Sequence, residues 1–130
     1  MNSQIIPYHE PSVAFAKEIT KGCKTRLGMF RAIIHCVSTM FRYDYIRAIQ
    51  IANTNTKPDI QRTWEKRMGV CQDIAAMTTG MLRGVGINAK MCIGKADKRR
   101  HAWVEAEIDG RRFRYDHSGK AQVYKTERTY

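Results

Sequence analysis

The chain has 130 residues, 43% of them hydrophobic, with 23 Lys and Arg against 12 Asp and Glu, a formal charge of +11 at pH 7. That length suits one domain able to hide roughly two thirds of its unfolded surface, and the composition argues against a largely disordered chain. No apolar run approaches the roughly 18 residues that span a bilayer, and the four cysteines form no C-x-x-C pair, which speaks against a structural zinc site or a disulfide framework.

The positive field points to acidic partners such as nucleic acid, anionic lipid, cell-wall polymer or an acidic protein, and is silent on reaction type. The opening MNSQIIPYHE lacks the basic start and apolar stretch of a signal peptide. Residues 1–10 read as a loose arm before a single domain over 11–130. The compartment stays open: cytoplasmic if Met1 is the native start, secreted or cell-surface if a leader has been removed.

Pro11-Ser12 opens a short helix to Ile19, ended by Gly22. A longer helix is expected from Thr25 to Phe41, because Met29, Ile33, Ile34, Val37, Met40 and Phe41 recur at three and four residues. Tyr43 to Asn55 is mixed, with room for another helical piece, and Asn53 to Pro58 is the clearest loop. A further helix begins near Cys71, with Ile74, Met77, Met81, Leu82 and Val85 on one stripe; Gly84 and Gly86 supply its stop. The period then changes to two. Ala89–Ile93, His101–Ile108, Arg111–Asp116 and Gln122–Lys125 read as strands. Helices first and strands second define an α+β fold with a mainly antiparallel sheet. Cys23, Cys36 and Cys92 lie in apolar stretches and read as small core residues.

Asp109-Gly110 between two alternating runs is a two-residue hairpin signal. The register follows. Ile108 faces Arg111, Ala106 faces Phe113 and Val104 faces Tyr115 on a mostly apolar face. Glu107–Arg112, Glu105–Arg114 and Trp103–Asp116 lie on the other, so two opposite-charge pairs fall out of a register chosen for other reasons. His101 then lies opposite Ser118 and diagonal to Asp116, within reach of the carboxylate. A carboxylate on one ring nitrogen fixes the tautomer and leaves the other nitrogen free. The competing reading is a surface histidine and a solubilising aspartate.

Gly69-Val70-Cys71-Gln72-Asp73 leads into the Met- and Ala-rich helix, so Cys71 sits in or just before its first turn. Exposed N–H groups and the helix dipole there favour a thiolate and can hold an oxyanion. Gly69 would let a substrate approach the backbone closely. Such a thiolate beside an oriented imidazole suits covalent acyl transfer. The competing reading of Cys71 is a buried structural cysteine.

GVCQDIAAMTTGMLRGVGINAKMCIG followed by HAWVEAEIDGRRFRYD resembles the transglutaminase-like superfamily, and in particular its small bacterial members, which share a papain-like core with peptide N-glycanases and larger transglutaminases. AKEITKGCKT and FRYDY resemble the helical lead-in, so the likeness covers about residues 13–120. It implies a papain-like core of N-terminal helices packed on a C-terminal antiparallel sheet. It further implies Cys71 as nucleophile, His101 as general base and Asp116 as the residue orienting it. The chemistry implied is attack on a peptide or protein amide, a thioester intermediate, and transfer to water or an amine. Trp103 follows the histidine as in the family pattern and would wall the site. Gln72, Trp64, Gln61 and Tyr43 are the remaining substrate or oxyanion candidates, and each has a structural reading beside it.

Asp116-His117-Ser118 departs from the family's Asp-Pro-Thr, and Asn88 stands where proline is common. No acidic cluster resembles the calcium sites of animal transglutaminases, so no metal or other cofactor is expected. The partner expected is a peptide or protein substrate, with one of acidic character compatible with the charge. One alternative is a catalytically silent relative that binds peptide or an acidic polymer. Nucleic acid binding through Lys95, Lys98, Arg99, Arg100, Arg111, Arg112 and Arg114 is disfavoured, because no recognised reading motif accompanies the charge. Gly84-Val85-Gly86 lacks the third glycine of a dinucleotide fingerprint.

Overall fold

The computed structural model describes residues 6–130. Of the arm expected over 1–10, residues 1–5 lie outside the described residues. Ile6 already joins the core at 7% exposure, and His9 caps the first helix.

Helix α1 (Glu10–Ile19) begins where Pro11 occupies the first turn and the Ser12 N–H donates to His9 Nδ1. Proline is tolerated there because its missing N–H would have no helical partner. Helix α2 (Arg26–Met40) is capped by Thr25 Oγ1, which accepts from the Gly28 N–H at 3.0 Å, and buries Phe30, Ile33 and Val37. The mixed stretch after it resolves into strand β1 (Arg42–Tyr43) and helix α3 (Tyr45–Ile51), capped by Asp44. Helix α4 (Ile60–Lys66), capped by Asp59, has no counterpart in the sequence reading. Only Ile60 and Thr63 are buried along it, so it has no apolar stripe to betray it. Strand β2 (Met68–Gly69) runs parallel to β1. Helix α5 (Cys71–Gly84) follows directly.

Strands β3 (Asn88–Ala96), β4 (Arg99–Ile108), β5 (Arg111–Tyr115) and β6 (Tyr124–Thr129) form one antiparallel sheet in the order β5-β4-β3-β6. The fold is therefore α+β, with helices first and sheet second. Helix α5 lies at its centre, packed on β3 and β4 on one side and on α1 and α4 on the other. Ile74, Ala76, Met77, Met81 and Leu82 are all fully enclosed. The Thr78 and Thr79 hydroxyls, buried with them, donate back to the Ile74 and Ala75 carbonyls at 2.7 and 2.8 Å. That satisfies them without partners from another element.

Gly86 ends α5 as expected. At φ +86° it lets the Ile87 N–H reach the Leu82 carbonyl (3.0 Å) while its own N–H reaches Arg83 (3.0 Å), the paired bonds of a Schellman stop. Gly84 has a different task. It is the last helical residue, and a Cβ there would lie 2.6 Å from Val13 Cγ1, so its absence lets α1 and α5 close on each other.

The β4–β5 register agrees with the sequence at Ile108–Arg111, Glu107–Arg112, Ala106–Phe113, Glu105–Arg114 and Val104–Tyr115. Asp109 (φ 53°) and Gly110 (φ 77°) supply the two left-handed residues of a type I′ turn. The β3–β4 turn is built the same way from Asp97 (φ 48°) and Lys98 (φ 70°) without a glycine, which is why the sequence reading ended β3 at Ile93. The Asp97 carboxylate accepts from the Gln122 and Val123 N–H groups and so ties down the approach to β6. Strand β6 itself lies further along than Gln122–Lys125, with a bulge against Ile93/Gly94.

All four cysteines are free. Cys92 is buried as expected, but Cys23, in the turn between α1 and α2, and Cys36, on α2, are only half-buried.

The Gly84 contact makes a prediction. Gly84→Ala should gain helix propensity of roughly 1 kcal/mol and lose more by overpacking against the stiff, buried Val13, which costs about 1–3 kcal/mol. The net expectation is a lower urea midpoint than wild type. Restoration of that midpoint by Val13→Ala in the double variant would identify the steric cause; its absence would refute it.

Candidate active site

The site is assembled around the first turn of α5. Asp73, the third residue of that helix, has no solvent exposure. Its carboxylate accepts from Arg47 Nε (2.7 Å) and Nη2 (3.1 Å), from the Asp59 N–H (2.9 Å) and from the Val70 N–H (3.0 Å). One side chain thus joins α3, the start of α4 and the residue before Cys71. Asp44 adds a parallel tie, capping α3 and pairing with Arg62 of α4 at 3.1 Å. Gly69 sits inside this knot. A Cβ there would lie 2.7 Å from Thr63 Oγ1 and 2.9 Å from Asp73 Cβ. Its role is close packing of α4 on α5, which corrects the expectation that it admits a substrate to the backbone.

Cys71 is half-buried at the N-terminus of α5. As the first two residues of the helix, Cys71 and Gln72 have N–H groups with no carbonyl to take within it. Cys71 and His101 line the same cleft, of about 470 Å³. On the far side of His101, Nε2 is 2.7 Å from Asp116 Oδ1, the diagonal contact read from the hairpin. Ser118 accounts for the altered motif after the aspartate: its N–H (3.0 Å) and Oγ (2.9 Å) both turn back onto Asp116 Oδ1. His117 turns away to Tyr115 Oη at 2.6 Å. Asp116 Oδ2 accepts from Tyr124 Oη at 2.6 Å.

These contacts shift both partners. The hydrogen bond to Asp116, then the neighbouring Cys71, raise the His101 pKa to about 10 against the opposing effect of burial. Burial alone would raise Asp116. The hydrogen bonds from His101, Tyr124 and Ser118, with the His101 charge, outweigh it and hold the carboxyl well below the usual range. The imidazolium–carboxylate form is therefore the stable one across neutral pH.

The secondary candidates divide. Tyr43 is half-buried, and its pKa is raised by burial first and by the charge of Cys71 next. With Ala48, Ile51 and Val70, and with Thr54, Thr56 and Gln72, it lines a smaller hollow of about 210 Å³ that also reaches Cys71. Gln72 Nε2 donates to the Thr56 carbonyl (2.8 Å) and holds the 54–58 loop against the cleft. Trp64 is a packing residue, with Phe15 and Phe41 at 5.5 and 6.2 Å and Arg67 over its ring at 4.1 Å. Gln61 is occupied by His9 and Glu65. Trp103, expected to wall the site, is wholly buried. It forms a small second core with Cys92 and Ala96 under Tyr124, and its ring stacks behind His101 at 6.4 Å and 29°. It braces the imidazole from the rear and presents no surface to a ligand. The sequence reading missed Arg47, Asp73 and Tyr124. An Asp three residues after the helix cap is a capping signal that could have flagged Asp73; nothing local marks the other two.

A helix-borne cysteine and a strand-borne histidine, the latter paired with an aspartate, line one cleft of an α+β domain with helices first and sheet second. The sequence profile described as "Transglutaminase-like superfamily" matches residues 13–116, and the chain belongs to that superfamily. No curated protein matches significantly. Among solved structures, the fold is similar to a presumed cysteine protease from Cytophaga hutchinsonii (TM-score 0.70, 21% identity, 93% of this chain and 44% of that one). It is also similar to a protein described as a TGase (0.64, 18%, 98% and 34%). A third similar structure is the periplasmic domain of TgpA from Pseudomonas aeruginosa (0.63, 19%, 86% and 44%). The chain spans less than half the length of each of these structures. Among the described residues no helix is long and apolar enough to cross a membrane.

Two predictions follow from the site's charges. Asp73→Asn leaves the Arg47 guanidinium buried without its counter-charge, which should cost about 3–5 kcal/mol; a denaturant midpoint near that of wild type would refute the hub. The His101 pair makes stability depend on pH. The histidine's contribution is complete below its unfolded pKa near 6.5 and is lost as pH rises through about 10. The Asp116 contribution is present above roughly pH 4 and is lost only as pH falls through its depressed value. The gap in unfolding midpoint between wild type and His101→Gln should be widest from about pH 4 to 6.5 and close towards pH 10. A gap independent of pH would sink the assignment.

Proposed function

We propose that residues 11–130 form a single catalytic domain in which Cys71 is the nucleophile, His101 the acid and base, and Asp116 its orienting partner. The domain acts on peptide or protein amides through a thioester. The observation that carries the reading is the His101–Asp116 contact at 2.7 Å with Cys71 on the same cleft.

The chemistry runs as follows. Asp116 occupies Nε2, which leaves Nδ1 of His101 for the sulfur. Sγ of Cys71 attacks as the nucleophile, its proton given up to the His101–Asp116 pair. The new S–C bond forms as the carbonyl electrons move to oxygen. The Cys71 and Gln72 N–H groups at the helix start are the donors best placed to receive that charge, with Tyr43 as a third candidate. Collapse of the intermediate breaks the C–N bond, and His101 gives its proton to the departing amine. Water or a second amine then attacks the thioester, His101 takes its proton, and Sγ leaves. Cys71 and His101 both keep access to solvent, which favours water as the acceptor and hence a protease or amidase.

The test compares wild type, Cys71→Ala, His101→Ala and Asp116→Asn on a peptide library, with and without an added amine, read by mass. Cys71→Ala should abolish product. Asp116→Asn should lower kcat/KM by about 10²–10⁴-fold. Site-resolved alkylation of Cys71 should remain rapid at pH 6 and slow in His101→Ala. A wild-type Cys71 that reacts no faster than Cys23, together with no turnover, would instead indicate a silent relative that binds peptide.

A further inference from the structure

The cleft beside Cys71 is unequal in charge. Lys57 on the 54–58 loop, Arg100 on β4 and Arg128 on β6 all line it, and among the described residues no Asp or Glu side chain does. Arg100 is partly compensated, its Nη1 lying 3.1 Å from Glu127. Lys57 and Arg128 have no side-chain ion pair among the described residues. The Tyr130 carbonyl oxygen at the cleft's edge is taken by Arg83 Nη2 (2.8 Å) and the Met91 N–H (3.0 Å).

The backbone that carries the three cations is fixed by structure. The Lys57 carbonyl is within 3.5 Å of Arg47 Nη2, and Gln72 grips the Thr56 carbonyl, so the loop is tied at two points to the knot beneath Cys71. Arg128 is the cross-strand neighbour of Ile93, and Ile93 of Ala102; all three line the cleft next to His101. The adjoining hollow, lined by Tyr43, Ala48, Ile51 and Val70 together with Thr54, Thr56 and Gln72, carries no charged side chain. A substrate lying over Cys71 therefore meets cations in the larger cleft and none in the hollow.

We propose that this cleft is a carboxylate subsite: it selects peptides that carry an acidic side chain next to the scissile amide, with Lys57 and Arg128 as the specificity-determining residues and Arg100 in support. The proposal rests on Cys71 as nucleophile for its meaning in turnover, but the charge of the cleft can be tested without turnover.

The probe is a pair of alkylating reagents that differ in charge, iodoacetate and iodoacetamide, applied to the full chain with modification of each cysteine read by peptide mapping. The quantity is the ratio of their rates at Cys71, with His101 unchanged throughout. Lys57→Glu and Arg128→Glu, both at exposed positions, should each lower that ratio about three- to ten-fold at low salt, the double variant more, and added salt should shrink the difference. The ratio at Cys23 should not move. A parallel peptide series with Glu, Gln or Lys flanking the cleaved bond should show preference for Glu, lost in the double variant. An unchanged ratio in the double variant, or a Cys71 that neither reagent reaches, overturns the subsite. If the ratio falls and no peptide is turned over, the subsite stands and the acyl-transfer reading fails. If peptides are cleaved without preference for Glu and the ratio holds, the reverse is true.

Discussion

A carboxylate with no exposure to water, Asp73, receives four hydrogens from three separate pieces of chain. A buried charge of this kind is tolerable only when it is paired and every lone pair is used. Here that requirement dictates geometry. Arg47 must come in from α3, Asp59 must present its N–H at the start of α4, and the chain must turn at Val70 so that α5 starts where Cys71 stands. A hydrophobic contact would tolerate sliding by a fraction of an ångström; a bidentate guanidinium does not. The short parallel pair β1–β2 completes the clamp, with the Asp44 N–H on the Gly69 carbonyl at 2.9 Å.

The sheet meets that clamp with the opposite strategy. His101 and Asp116 are held by a hairpin whose register is set far away, at Asp109-Gly110, and by aromatic packing behind them. Trp103 and Tyr124 cover the outer face of β4 and β3, where a lone strand face would otherwise be wet. Arg114 lies over the Tyr124 ring at 3.8 Å, and Tyr124 in turn holds the second oxygen of Asp116. The carboxylate is thereby satisfied on both oxygens, one by His101 and Ser118 and one by Tyr124. This is why it stays ionised despite burial. The helix side fixes where the sulfur is; the sheet side fixes how the ring is oriented.

The parts legible in the sequence were those carried by periodicity or by local turn chemistry. The α2 and α5 stripes, the Asp109-Gly110 turn and the register that follows from it are all of this kind, and that register brought His101 to Asp116. What escaped depends on contacts between distant segments. Helix α4 has two buried residues and no stripe, so only its packing against α5 defines it. The Asp97-Lys98 turn uses left-handed residues without glycine and is stabilised by backbone N–H groups some 25 positions away. Trp103 alternates onto the outer face as read, but nothing in β4 indicates that Tyr124 will bury it. Gly69 reads as freedom for a ligand when taken alone and as close packing once Thr63 and Asp73 are beside it.

The surplus of positive charge follows from the same economy of acids. Of the six aspartates, five have carboxylates that accept backbone N–H groups within the fold: Asp44 and Asp59 as helix caps, Asp73 at the hub, Asp97 before β6 and Asp116 at the histidine. Those aspartates are thus used as internal acceptors, where a carboxylate satisfies more orphan donors than any neutral side chain. Lys and Arg, whose charged ends stay in water while their stems pack, are left facing outward. The formal +11 is therefore concentrated at the surface, and some grooves there take its sign. The cleft at Cys71 is such a groove. Its cationic wall needs no dedicated design: it arises because the fold has already placed most of its aspartates where the backbone needs them.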